Sequence, residues 1–172
     1  MKIPLGYGET KLAFEYDPAQ FQVLGTESSL TPLSDAEIGE KLDSPFESGR
    51  IEDIVRPNET VLIVVPDATR EVASGEIVNL LVRRLIANGT MPHEISAIFA
   101  VGIHRGVTEE EKAAILTPFM AQRIKTLAHD SRDLMQIVRL GKTSHGIPVE
   151  LNRSLSEFDH VISIGGISYH YF

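Results

Sequence analysis

The sequence predicts an α/β fold: a mostly parallel sheet with helices on both faces, Rossmann-like, preceded by a β-hairpin. Three observations carry this expectation. Val61-Leu62-Ile63-Val64-Val65 and Ile95–Val101 are apolar runs rich in β-branched residues, as strands buried on both faces require. Between them, Ile77, Val78, Leu81, Val82, Leu85 and Ile86 recur at helical spacing. Strand, helix and strand in that order make a βαβ unit with parallel strands.

The elements follow in chain order. Lys2–Gly6 and Thr10–Tyr16, where Leu12, Phe14 and Tyr16 alternate with other residues, read as a hairpin turning through Tyr7-Gly8-Glu9. Ser34-Asp35-Ala36-Glu37 is a capping box, so a helix is expected from Asp35 to about Leu42. Pro45 and Gly49 close that region, and Ile51–Val55 reads as one more helical turn. The first buried strand, Val61–Val65, leads to a helix stopped by Asn88-Gly89, and the second strand follows. Thr108-Glu109-Glu110-Glu111 is a second capping box, opening a helix expected to reach about Met120. Arg123–Ala128 reads as a third strand, and Gln136–Leu140 with Ile147–Leu151 as a hairpin across Gly141–Gly146. His160–Ile164 is the last strand and runs into Gly165-Gly166. Residues 1–172 are expected to form one amino-terminal α/β domain, with hairpin and capped helix over 1–58 and the core over 59–172.

Composition narrows the function. Lys and Arg number 16 against 24 Asp and Glu, a net charge of −8, which argues against nucleic acid as the main partner. Without a single Cys there is no disulfide, thiolate nucleophile or Cys-ligated metal. No apolar run approaches the ~18 residues of a membrane span, and no apolar signal core follows Met1-Lys2-Ile3-Pro4. A cytoplasmic protein is expected. The P-loop, the dinucleotide fingerprint G-x-G-x-x-G after a strand, H-E-x-x-H and G-x-S-x-G are all missing.

Ligands of open parallel sheets bind beyond the carboxyl ends of the strands. Those ends carry Pro66-Asp67-Ala68-Thr69-Arg70, Gly102-Ile103-His104-Arg105, His129-Asp130 and Gly165-Gly166-Ile167-Ser168-Tyr169-His170. Arg70 and Arg105 suit bidentate binding of a carboxylate or phosphate, and Asp67 suits orienting a cation or hydroxyl. His104 and His170, from different strands, suit acid and base work on two sides of one substrate. That pairing is what inversion of a stereocentre needs. Blander readings stand beside these: Asp67–Arg70 as a cap and ion pair ahead of the next helix, His104 bonded to a backbone carbonyl, His170 in a frayed tail. A non-catalytic anion- or nucleotide-binding module is the alternative function.

The three motifs in this order, each after a strand, resemble the amino-terminal domain of the nickel-dependent lactate racemase family. The resemblance implies an isomerase that racemises or epimerises a small 2-hydroxy acid by hydride transfer to a nickel-pincer nucleotide. It implies His104 and His170 as the acid/base pair, and Asp67, Thr69 and Arg70 beside cofactor and substrate. Arg105 is added as a substrate-binding residue from its neighbourhood. No metal ligand is assigned. The family loop commonly reads Asp-His-Thr-Arg-Pro where Asp67-Ala68-Thr69-Arg70-Glu71 stands here, which bears on substrate specificity more than on mechanism. The family's cofactor-anchoring lysine, nickel-ligating histidine and carboxy-terminal domain have no counterpart up to Phe172. The chain is therefore expected to be a fragment, inactive alone and without its cofactor, whose partner is that missing domain.

Overall fold

A computed structural model describes residues 1–24, 31–70 and 72–167. The chain divides into two compact units, Met1–Pro32 and Leu33–Phe172. The smaller unit holds the expected hairpin, β1 (Lys2–Tyr7) and β2 (Thr10–Glu15). Ile3 faces Phe14 and Leu5 faces Leu12 across the antiparallel ladder, so one side of the ribbon is apolar. Gly8, at φ 58°, makes the turn in the left-handed region that glycine enters freely.

The larger unit is built on β3 (Val61–Pro66), β4 (Ile95–Ala100), β5 (Lys125–Leu127) and β8 (His160–Ser163). These form one sheet in the order β5-β4-β3-β8, with every pairing parallel. Helix α3 (Ser74–Ala87) crosses from β3 to β4 and buries Val78, Leu81, Val82 and Leu85. Val78, Val82 and Leu85 meet Val61, Ile63 and Val65 of β3 and Ile95, Ala97 and Phe99 of β4 to make the core. Each fully buried aliphatic side chain there contributes about 1.5–3 kcal/mol.

α1 (Asp35–Asp43), α2 (Ile51–Ile54), α4 (Glu109–Leu116) and α5 (Pro118–Arg123) all pack against α3. Both expected capping boxes form: Ser34 with Glu37, and Thr108 with Glu111. α1 and α2 pack on α3, and the larger compact unit begins at Leu33.

The class holds, but its layering is more one-sided than alternating strands and helices imply. The sheet face with Val64, Ile98 and Ala100 meets the hairpin of β6 (Ile137–Lys142) and β7 (Pro148–Asn152). The helix expected to run unbroken to Met120 stops at Leu116, with Thr117 at φ 66°. Pro118 is the reason, since proline disfavours helical backbone in the residue before it and starts a new helix well. α5 then ends at Arg123, so the third strand starts at Lys125 rather than Arg123.

At the amino ends of the strands, β8 is fastened to β3. Thr60 donates to the Asp159 carboxylate through both its N–H and its hydroxyl, each at 2.8 Å. His160 Nε2 donates to Glu59 at 2.7 Å, and the Glu59 carboxyl lies below its ordinary range, chiefly through the Arg56 N–H and His160.

Close approach of α3 to the α4–α5 junction gives a test. A Cβ at Gly75 would lie 2.9 Å from the Ile115 carbonyl oxygen and 3.2 Å from Thr117 Cγ2. Gly75→Ala is expected to destabilise the domain by about 1–3 kcal/mol, as overpacking does. Urea unfolding checks this through a lowered midpoint at unchanged slope; an unmoved midpoint refutes the tight junction.

Candidate active-site cleft

From β3 the chain moves to one side of the sheet through β4 and β5, and returns to the other side as β8. The crevice between β3 and β8 is therefore the topological switch point, where open α/β sheets bind ligands. A cleft of about 1160 Å³ lies there, lined among others by Asp67, Arg70, Gly102, His104 and Gly165.

Strand register brings the first two motifs together. Pro66 stands opposite Ala100, so β3 and β4 run out at the same level. Asp67 and His104, 37 positions apart, then meet with His104 Nδ1 2.6 Å from Asp67 Oδ2. Gly102, at φ 56°, turns the chain after β4, and the His104 N–H donates to the Val101 carbonyl at 2.9 Å.

Asp67 is almost wholly buried, its side chain 8% exposed against 54% for His104. Its Oδ1 accepts from the Thr69 N–H at 3.0 Å and the Thr69 hydroxyl at 2.6 Å. Burial pushes its carboxyl pKa up, but the hydrogen bonds from Thr69 and His104 outweigh that and hold it below the ordinary value. An ionised Asp67 can only accept, so Nδ1 of His104 carries the hydrogen. In the neutral ring, Nε2 on the far edge is then a free base.

Arg70 donates its backbone N–H to the Asp67 carbonyl at 3.1 Å and extends an exposed side chain. Among the described residues it is the one arginine or lysine lining the cleft. Arg105 goes elsewhere. Its guanidinium grips Glu111 with both arms, Nη2–Oε1 at 2.6 Å and Nη1–Oε2 at 2.8 Å, beside a smaller cavity of about 300 Å³. That grip, with the Thr108 N–H, lowers the Glu111 pKa to about 2.

Other histidines part from the cleft. Asn152 Nδ2 donates to His129 Nδ1 at 3.0 Å, in an apolar cavity of about 460 Å³ between the sheet and the β6–β7 hairpin. His160 lies at the opposite end of the strands. His170 falls outside the described residues, although Gly165 and Gly166 just before it line the cleft. Glu111, which the sequence presents as the last residue of a capping box, also holds Arg105. The signal for it was Arg105 standing just ahead of the capping box that ends in Glu111.

A family model described as the lactate racemase N-terminal domain matches residues 7–172. The lactate racemase of Thermoanaerobacterium thermosaccharolyticum is 26% identical over 174 residues, covering 99% of this chain and 41% of the relative. That of Lactiplantibacillus plantarum is 32% identical over 142 residues, covering 81% of this chain and 33% of the relative. The chain thus spans well under half the length of these relatives. The lactate racemase apoprotein structure from T. thermosaccharolyticum superposes with a TM-score of 0.79 at 23% identity, over 95% of this chain and 38% of that one. A crystal structure of a Thermotoga maritima protein gives a TM-score of 0.62 at 24% identity, over 77% of this chain and 33% of that one. These two likenesses concern the fold.

The lowered Asp67 pKa carries a sign that can be measured. A carboxylate depressed on folding stabilises the domain above its unfolded value, near 3.8, and loses that contribution as pH falls through the folded one. Asp67→Asn is expected to be less stable than wild type at pH 7, with the gap closing in acid. Urea unfolding at pH 7 and pH 3 checks it; a gap independent of pH refutes the ionised, hydrogen-bonded Asp67.

Proposed function

The chain belongs to the lactate racemase N-terminal domain family, and on that premise we propose that residues 1–172 are the acid/base-bearing amino-terminal domain of a 2-hydroxy-acid racemase or epimerase. The observation that supports this best is the Asp67–His104 pair at a cleft where Arg70 supplies the cation. A second domain, corresponding to the rest of the relatives' length, completes the active enzyme.

The family's nickel-pincer nucleotide fits this cleft in part. Gly102 and Gly165 leave open space where a side chain would otherwise project, and Arg70 offers a cation to a planar acidic group. Among the described residues no three His, Asp or Glu gather to hold a metal ion. Asp67, Thr69 and Arg70 would therefore meet the organic part of the group, and its metal depends on other ligands. When bound, that group supplies the acceptor and donor for the substrate's α-hydride.

The chain's own residues do the rest. The Arg70 fork binds the substrate carboxylate through two parallel hydrogen bonds, which fixes the plane of the acid. His104 Nε2 takes the α-hydroxyl proton as the carbonyl forms and returns it when the hydroxyl is restored. Asp67 holds the ring in the tautomer that leaves Nε2 free, and its charge stabilises the imidazolium. His170 would serve as the second acid/base residue beside His104, a role that rests on the resemblance.

In the complete, cofactor-loaded enzyme, His104→Ala is expected to lower racemisation by about 10²–10⁴-fold. Arg70→Lys replaces a fork by a point charge and should raise KM about tenfold or more. Circular dichroism of one enantiomer converting to the racemate reads both. A His104→Ala enzyme running at the wild-type rate overturns the acid/base assignment.

A further inference from the structure

The loop from β4 to α4 carries His104, yet much of it is loosely held. Ile103, next to the histidine, is 82% exposed. A Cβ at Gly102 would meet nothing within 4 Å. Two ties secure the front of the loop, the His104 N–H on Val101 and the ring on Asp67.

A third tie comes from the helix. Glu111 Oε2 accepts the Thr108 N–H at 2.9 Å while both of its oxygens take Arg105. α4 is itself seated by Leu116, which is fully buried in the core. The rigid route to the histidine therefore runs from core to α4, through Glu111, to Arg105 and its neighbour His104. Glu111 fills the end-on fork formed by the two Nη groups of Arg105, and Arg105 does not line the main cleft.

We propose that the Arg105–Glu111 pair is a clamp that positions His104, with Arg105 acting through the loop rather than on the substrate. This rests on the reading of His104 as the acid/base residue. It assigns Glu111 and Arg105 a part in the turnover step and none in substrate affinity.

Glu111→Gln isolates the clamp, because glutamine can still close a capping box with Thr108 but cannot make the charged fork. In the complete enzyme, Glu111→Gln and Arg105→Ala should each lower kcat about tenfold or more, as small misplacements of catalytic groups do. KM should stay within about twofold, and the double variant should be no worse than either single, since the two act as one unit. Arg105→Lys should recover part of the loss. If Arg105→Ala instead raises KM while Glu111→Gln is silent, Arg105 binds substrate and the clamp is overturned.

A second readout needs no turnover. Long-range ¹H–¹⁵N spectra of the His104 ring in this chain should show a single Nδ1–H tautomer, turning to a broadened, mixed signal in both variants. Unchanged ring spectra overturn the clamp. A His104→Ala enzyme that racemises normally overturns the functional reading instead, and the ring spectra still judge the clamp.

Discussion

Strand β3 is paired along both edges, with β4 and β8, and Val61, Leu62, Ile63 and Val65 in it are fully buried. Such a strand has no room for a polar side chain along its length. The first one after it is Asp67, still only 7% exposed. A carboxylate that far from water must be met by donors or it becomes costly. Thr69 and His104 meet it, so the burial of β3 dictates both the turn after the strand and the histidine beside it. The cleft geometry is in this sense a requirement of the core.

Charge is divided accordingly. Within the larger unit, acidic side chains are tied to specific partners: Asp67 to Thr69 and His104, Glu111 to Arg105, Glu59 to His160, Asp159 to Thr60. Arg70, by contrast, is left in the cleft of a chain whose net charge is −8. An acid-rich surface repels anions in general, and a lone guanidinium in a concave site selects the one that fits its fork.

What was legible in the sequence was whatever depends on neighbours along the chain. The runs Val61–Val65 and Ile95–Val101, the α3 stripe and both capping boxes reappear as elements at nearly the expected bounds. The site motifs were legible as loops at strand ends for the same reason. The Asp67–His104 contact was not, because it depends on Pro66 lying opposite Ala100, a register set by packing rather than by local sequence. Nor was the cover of the second face, where an antiparallel hairpin stands in place of helices. Thr117 is different: the break there depends on its neighbour Pro118 and is legible in the sequence. The Arg105–Glu111 pair was not legible, since the residue type of Arg105 suggests an anionic ligand while its carboxylate lies six positions on, in the first turn of α4.

The fastening of β8 to β3 reaches across 99 positions, from Thr60 to Asp159, about three times the span that separates β3 from β4. On loop-closure entropy alone, tripling the span adds about 1 kcal/mol. That is small beside the burial it completes, but it orders events: β3, β4 and α3 close over local distances, and β8 joins a sheet already formed. The crevice between β3 and β8 is thus finished last in folding. A chain stalled before that step keeps most of its core and lacks one wall of its cleft, so ligand binding reports complete folding of the domain.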